Sequence, residues 1–253
     1  MSTKIEWAEE TWNPITGCTP ISEGCAHCYA ARMAKRLAGR CGYPADDPFQ
    51  VTLHTDKLDV PLRWRKPRVV FVCSMGDLFH KDVNKWYIVR LLRVMRECEH
   101  HRFLLLTKRM ERAARIIAWI MEKNLYCWPL PNVGLGVTCE NQDAAYERIP
   151  LLLACPAAMR FVSVVGVLEA MAIGILGLDW VIGGGESGPG ARPMDPQWPR
   201  DMRDQCVAAG VPFFFKQWGG VHKKKHGREL DGRTWNQRPA WFGEAAKEQG
   251  EGR

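Results

Sequence analysis

Short apolar runs alternate with helix-length amphipathic stretches along most of this chain. Residues 68–73 (RVVFVC) read as a buried strand, and a helical pattern follows over about 84–99. The next pair is a strand at 102–107 (RFLLLT) and a helix at 110–123. A third strand at 132–138 (NVGLGVT) precedes a helix at 142–154. Strands at 160–165 and 179–182, a helix at 197–209 and a last apolar run at 211–216 complete the series. Strands separated by helices in this rhythm predict a parallel sheet with right-handed crossovers. Six or seven such units favour a barrel over an open doubly wound sheet, so the expected fold is α/β, a partial (β/α)6 TIM-like barrel. That barrel is expected over residues 1–220, with a basic extension at 221–253 that is either packed on it or flexible.

Polar residues cluster where the apolar runs end. Ser74, Asp77 and His80 follow the run at 68–73, and Lys108 and Arg109 follow the run at 102–107. Thr138, Cys139, Glu140 and Asn141 follow the next, and Gly183, Gly184, Gly185 and Glu186 end the run that begins at 179. In βα barrels the C-terminal ends of the strands form the reactive face, so these tips are expected to surround one cavity.

Upstream of them all lies C-x6-C-x2-C, formed by Cys18, Cys25 and Cys28 and followed at once by an amphipathic helix. Three thiolates in one loop, with no obvious fourth local ligand, suit a metal centre that keeps one position open, as an iron-sulfur cluster does. Spacing alone also admits a structural zinc site completed by Cys41 or His27.

Composition narrows the setting. With 253 residues, 46% of them hydrophobic and 25% charged, the chain can bury a full core. The start MSTKIEWAEE is too acidic and polar for a signal peptide and no apolar run reaches spanning length, so a cytoplasmic protein without a membrane partner is expected. Ten cysteines in such a setting point to reduced thiols and metal ligation rather than a disulfide framework. The net charge of +7 includes the run HKKKHGR at 222–228, which suits either phosphate contacts or a solvated loop.

Other residues have plain readings. Cys73 and Cys139, near two strand tips, are candidate catalytic thiols, or buried thiols acting as small apolar side chains. Cys98, Cys127, Cys155 and Cys206 carry no spacing signal. His80, His100 and His101 are expected at helix ends or on the surface. Trp64, Trp86, Trp119, Trp180 and Trp218 are expected mostly as core or packing residues, a base-stacking role for any one of them being the lesser alternative.

The segments EWAEETWNPITGC, GCAHCYAARMAKRL, SMGDLFH, LLTKR, GLGVTCENQ, DWVIGGGESGPGARPM and GVPFFFKQWG together give a more specific reading. Through them the chain resembles the phage Gp37/Gp68-type family, a family of unknown function assigned to the radical S-adenosylmethionine superfamily. SMGDLF and LLTKR are also similar, more loosely, to the spore photoproduct lyase branch. The resemblance implies a [4Fe-4S] cluster on Cys18, Cys25 and Cys28, with S-adenosyl-L-methionine on the remaining iron. It implies reductive cleavage of that cofactor to a 5′-deoxyadenosyl radical, which takes hydrogen from an unidentified substrate. A nucleotide or nucleic acid fits the phage association and the basic balance. A reductant such as a flavodoxin or ferredoxin is implied as a partner, together with a protein encoded nearby.

Carried onto this sequence, Asp77, assisted by Ser74, would accept from the cofactor's ammonium group. Thr138, Glu140 and Asn141 would meet the ribose hydroxyls. Lys108 and Arg109 would hold the cofactor carboxylate or a substrate phosphate. Gly183, Gly184 and Gly185 would admit adenine or substrate, with Glu186 as an anchor, although a tight strand-to-loop turn explains the glycines equally well. One departure stands out: where the family pattern reads F-V-S-x-E-P, this chain has Val165 for the acid and Gly166 for the proline, and Glu169 lies four residues on. Altered substrate handling or reduced activity is the expected consequence. The other function class is a non-catalytic, metal-stabilised binding module of a phage or mobile-element locus.

Overall fold

The apolar runs assemble edge to edge into one sheet. The computed structural model describes residues 5–222 and 225–243. Lys223 and Lys224 of the basic run, and the end of the expected extension, lie outside them.

The chain opens with β1 (Glu10–Trp12), β2 (Ile15–Thr16), the helix α1 (Tyr29–Arg36) and β3 (Thr52–Leu53). There follow β4 (Val69–Val72), α2 (Lys85–Glu97), β5 (Arg102–Thr107), α3 (Met110–Glu122), β6 (Val133–Thr138) and α4 (Gln142–Ala154). The series closes with β7 (Met159–Val165), β8 (Trp180–Gly184), α5 (Gln197–Ala209), β9 (Phe213–Gln217), β10 (Glu229–Leu230) and β11 (Arg233–Thr234).

Seven strands form one sheet in the order β1-β4-β5-β6-β7-β8-β9, all of them parallel. Each crossover therefore reaches the next neighbour in the same direction, and the sheet curls as a half-barrel. The sheet has seven strands, within the six or seven units the rhythm predicts, because the short segment Glu10–Trp12 pairs with β4 at one edge. The connection from β7 to β8, in which the sequence predicts no helix, is an irregular strap that buries Val167, Met171, Ile173, Ile175 and Leu178. Glycines at 166 and 177, with φ of +85° and +87°, break any helical run there.

The strands are buried on both faces, as parallel strands flanked by helices must be. One face packs on the helices through Val70, Phe103, Leu135, Val162, Val181 and Phe213. The inner face holds a second cluster that includes Phe71, Leu104, Met159, Phe161, Trp180 and Phe214. Gly136 makes room for that layer, since a Cβ there would stand 2.6 Å from the Phe161 ring.

Both ends of the described chain complete the inner cluster. Trp7 lies 6.3 Å from Trp180, centroid to centroid, and Phe242 lies 5.1 Å from it with the rings nearly perpendicular. The backbone of Gln237 donates to Phe213 at 3.1 Å, and its carbonyl accepts from the Trp180 indole at 2.9 Å. Residues 229–242 thus pack onto the sheet. Arg228, from the basic run, donates to the Phe215 carbonyl at 3.1 Å and to Asn236 Oδ1 at 2.6 Å, so its charge serves the fold.

Candidate functional site

The cysteine loop is anchored at its start by a glycine. Gly17 has φ of +85°, and a Cβ there would lie 2.0 Å from the Gln50 carbonyl oxygen, so only glycine lets the loop leave β2 against that backbone. The Cys18 amide then donates to the Phe49 carbonyl at 3.1 Å. A 3-10 turn spans Glu23–Cys25, and Cys28 is the N-cap residue of α1. All three cysteines are half-buried, and all are free thiols.

Two consecutive cations from the tip of β5 reach this loop. Lys108 Nζ donates to Ser22 Oγ at 2.9 Å and lies 3.7 Å from Cys25 Sγ. Arg109 Nη1 lies 3.3 Å from Cys18 Sγ and 3.0 Å from Asp77 Oδ2, while Nη2 donates to the Thr19 carbonyl at 2.8 Å. Arg109 is also the N-cap residue of α3, yet its side chain makes no cap. Burial pushes the Cys18 thiol up, and the Arg109 charge opposes it only in part. At Cys25 burial again raises the thiol. Hydrogen bonds from the Ile21 and Ser22 backbone and the charge of Lys108 outweigh it, and the group falls below the usual thiol range.

The cations are held in turn from behind. Glu140, at the tip of β6, is 1% exposed and pairs with Lys108 at 3.3 Å and with Arg148 at 3.0 Å. Burial would raise its carboxyl, but Lys108, Ser22 and Arg148 together hold it below the usual carboxylate range. Gly24 packs on this pair: a Cβ there would stand 2.8 Å from Lys108 Nζ and 3.0 Å from the Glu140 side chain. Asp77 accepts from Thr107 Oγ1 at 2.8 Å and from the Phe79 amide at 2.9 Å besides Arg109. Its carboxylate thus meets protein donors on several sides.

The tip of β8 closes the loop's other flank. Glu186 lies 3.2 Å from His27 Nδ1, in the cysteine loop itself, and accepts from the Arg192 amide at 2.9 Å and from its guanidinium. Arg192 continues to the Glu23 carbonyl at 3.3 Å. On α1, Arg32 donates to the carbonyls of Ser187 at 2.9 Å and Pro189 at 2.7 Å. Strands β5, β6 and β8 therefore all contribute side chains that hold one loop over the C-terminal rim of the sheet.

Among the described residues no group of three or more His, Cys, Asp or Glu side chains is arranged about a single metal ion. Thiolates that each bind a different iron need not converge on one point. Three free thiols with an ammonium and a guanidinium against two of the sulfurs are a donor set that fits an anionic cluster, whose sulfurs are stabilised by hydrogen bonds. A family described as a protein of unknown function, DUF5131, matches residues 2–239.

The chain belongs to the DUF5131 family. No curated protein and no solved structure matches it. The DUF5131 match takes in the cysteine loop and every rim residue described above.

The remaining expected site residues of this DUF5131 chain have these places. Ser74 Oγ donates to Asn13 Oδ1 at 3.1 Å, and its carbonyl accepts from the Tyr29 hydroxyl. Thr138 is half-buried at the rim, with its carbonyl accepting from Arg148 at 2.7 Å. Asn141 caps α4, accepting from the Ala144 amide at 2.9 Å. Gly184 and Gly185 meet β9: a Cβ would stand 2.9 Å from the Gln217 carbonyl oxygen and 2.2 Å from that of Trp218. The turn account of the glycine run thus has a physical basis here. Cys73 and Cys139 are buried, and burial pushes the first far above the usual thiol range and the second up to about 12. Val165 is half-buried against the inner apolar cluster, and Glu169 Oε1 accepts from the Gln142 amide at 2.7 Å.

Two expectations are overturned. His80 and His101 are fully buried, His80 through a 2.8 Å bond to Thr19 Oγ1 and His101 through one of 3.2 Å to the Pro61 carbonyl. Trp86 is a packing residue against Trp119, with ring centroids 5.0 Å apart, and is 53% exposed. Sequence reasoning also missed the His27–Glu186 and Arg192–Glu186 contacts. Their signal lay in the run ESGPGARPM, where a base follows an acid across a glycine-rich turn.

Proposed function

We propose that this protein is a radical S-adenosylmethionine enzyme, with Cys18, Cys25 and Cys28 holding a [4Fe-4S] cluster above the rim of the half-barrel. The observation that carries the reading is the approach of Lys108 and Arg109, adjacent in sequence, to the sulfurs of Cys25 and Cys18. When bound, such a cluster supplies one electron to the sulfonium of S-adenosyl-L-methionine, which yields the 5′-deoxyadenosyl radical.

This chain's residues supply the setting. Lys108 and Arg109 offset thiolate charge, Glu140 and Asp77 fix the two cations, and Glu186 with Arg192 and Arg32 holds the loop in place. The apolar inner face below the rim excludes water from that end of the sheet. No helix among the described residues is long and apolar enough to cross a membrane, in keeping with a cytoplasmic enzyme reduced by a flavodoxin or ferredoxin. A nucleotide or nucleic acid is the proposed substrate class, in keeping with the net charge of +7.

The test is anaerobic reconstitution with iron and sulfide, reduction, and assay for 5′-deoxyadenosine from added S-adenosyl-L-methionine. Nucleoside formed by the native chain and absent from the Cys18→Ala, Cys25→Ala, Cys28→Ala variant supports the enzyme. A chain that retains only zinc, or four irons with no nucleoside even after Val165→Glu, overturns it in favour of a metal-stabilised binding module.

A further inference from the structure

The geometry points to a second functional surface: the outer face of α2 and α3 binds single-stranded nucleic acid, with Trp86 as a base-stacking platform. On α2 the residues Tyr87, Ile88, Leu91, Leu92, Val94 and Met95 face the core, which turns Trp86, Arg90 and Arg93 outward at i, i+4 and i+7. On α3 and its C-cap, Arg115, Trp119 and Lys123 repeat the spacing i, i+4, i+8. The two stripes meet at their tryptophans, whose ring centroids are 5.0 Å apart at 84°. The Lys85 ammonium sits 4.2 Å from the Trp119 ring.

Packing alone does not account for Trp86. It is 53% exposed in the first turn of a helix whose core side is already filled by aliphatic residues. An indole left open beside cations is what a base and its phosphate require together. The surrounding charge has the matching sign. Lys85, Arg90, Arg93, Arg96, Arg115 and Lys123 are all exposed on this face. Against them stand Glu97, Glu111 and Glu122, each in a solvent-exposed pair with one base, and the exposed Asp59, which lines a hollow with Arg90 and Arg93. Such pairs are weak and exchange readily for phosphate. Among the described residues, Lys85, Arg90 and Arg96 pair with no carboxylate. Interleaved aromatic and cationic side chains on one face fit a flexible single strand, whose bases turn outward to stack; a duplex keeps its bases stacked on each other.

The proposal is independent of the cysteine loop, so it and the proposed enzymatic activity fail separately. Fluorescence anisotropy of the full chain with a fluorescein-labelled oligothymidylate of about 20 nucleotides tests it. The native chain is expected to bind, Trp86→Ala to weaken binding about tenfold, and Trp86→Phe to restore most of it. Lys85→Ala with Arg90→Ala should flatten the dependence of log affinity on log salt by about 0.7 per side chain removed. This surface variant also decides the matter if Trp86→Ala lowers the melting temperature. Equal affinity in all variants overturns the proposal. So does equal binding of a duplex, or displacement by polyglutamate as effective as displacement by unlabelled oligonucleotide, since either means that charge alone is read.

Discussion

Arg109 donates from Nη1 to the sulfur of Cys18 at 3.3 Å, across 91 residues of chain. The same nitrogen serves Asp77, so one guanidinium couples a thiol to a buried carboxylate. Removing it as Arg109→Gln leaves the Asp77 charge without its partner, which should cost about 3 kcal/mol in urea denaturation. It should also move the Cys18 thiol further upward, because burial then acts unopposed. The rate of iodoacetamide labelling of Cys18 against pH, in the metal-free protein, measures that shift. A labelling profile identical to that of the native chain would sever the link between the two residues.

Glu186 sets an acid limit to stability. Burial alone would raise its carboxyl, but hydrogen bonds from Arg192 and His27 hold it down at about 2. The unfolded chain takes up that proton near pH 4.3, so the folded state binds fewer protons in between. The stabilisation is therefore complete above about pH 4.3 and is lost as pH falls toward 2. Discounted for the solvent around Arg192, which is 32% exposed, it amounts to about 2 kcal/mol. Urea melts of the native chain and of Glu186→Gln should diverge above that window and converge at its acid end; parallel curves would remove the residue from this role.

The glycines after β8 give a third expectation. At Gly185 a Cβ would meet the Trp218 carbonyl oxygen at 2.2 Å, a backbone atom that cannot rotate away. Gly185→Ala should push β9 from β8 and cost about 3 kcal/mol, read as a lower melting temperature in the protein free of any ligand. Unchanged melting would mean that the glycine serves a bound molecule rather than the turn.

What the sequence made legible was local. The helices expected at 142–154 and 197–209 are those observed, Gln142–Ala154 and Gln197–Ala209. Asn141 starts the first with a side-chain cap, and Gly210, at φ of +67°, stops the second. The strand at 102–107 is likewise found, whereas the last apolar run begins two residues late, at Phe213, since a buried strand carries no end signal of its own. The cysteine loop was visible from its spacing. Its partners were not, because no period links Cys18 to Arg109 or His27 to Glu186. His80 was misplaced for the same reason: its burial depends on Thr19, 61 residues away. Trp86 packs on Trp119 while its register on α2 turns it outward, an exposure that composition does not announce.

The long reach of the Glu186 contact also sets a timetable. His27 and Glu186 are 159 residues apart, which at ordinary elongation rates is roughly 8 to 30 seconds of synthesis. The three thiols leave the ribosome first, and through that interval their loop lacks the Glu186 and Arg192 side chains that later close its flank. Thiol oxidation follows exposure, so the nascent chain is more vulnerable to oxidants than the finished one. Yield from aerobic cultures should therefore be decided before folding ends, by how long translation leaves that loop uncovered.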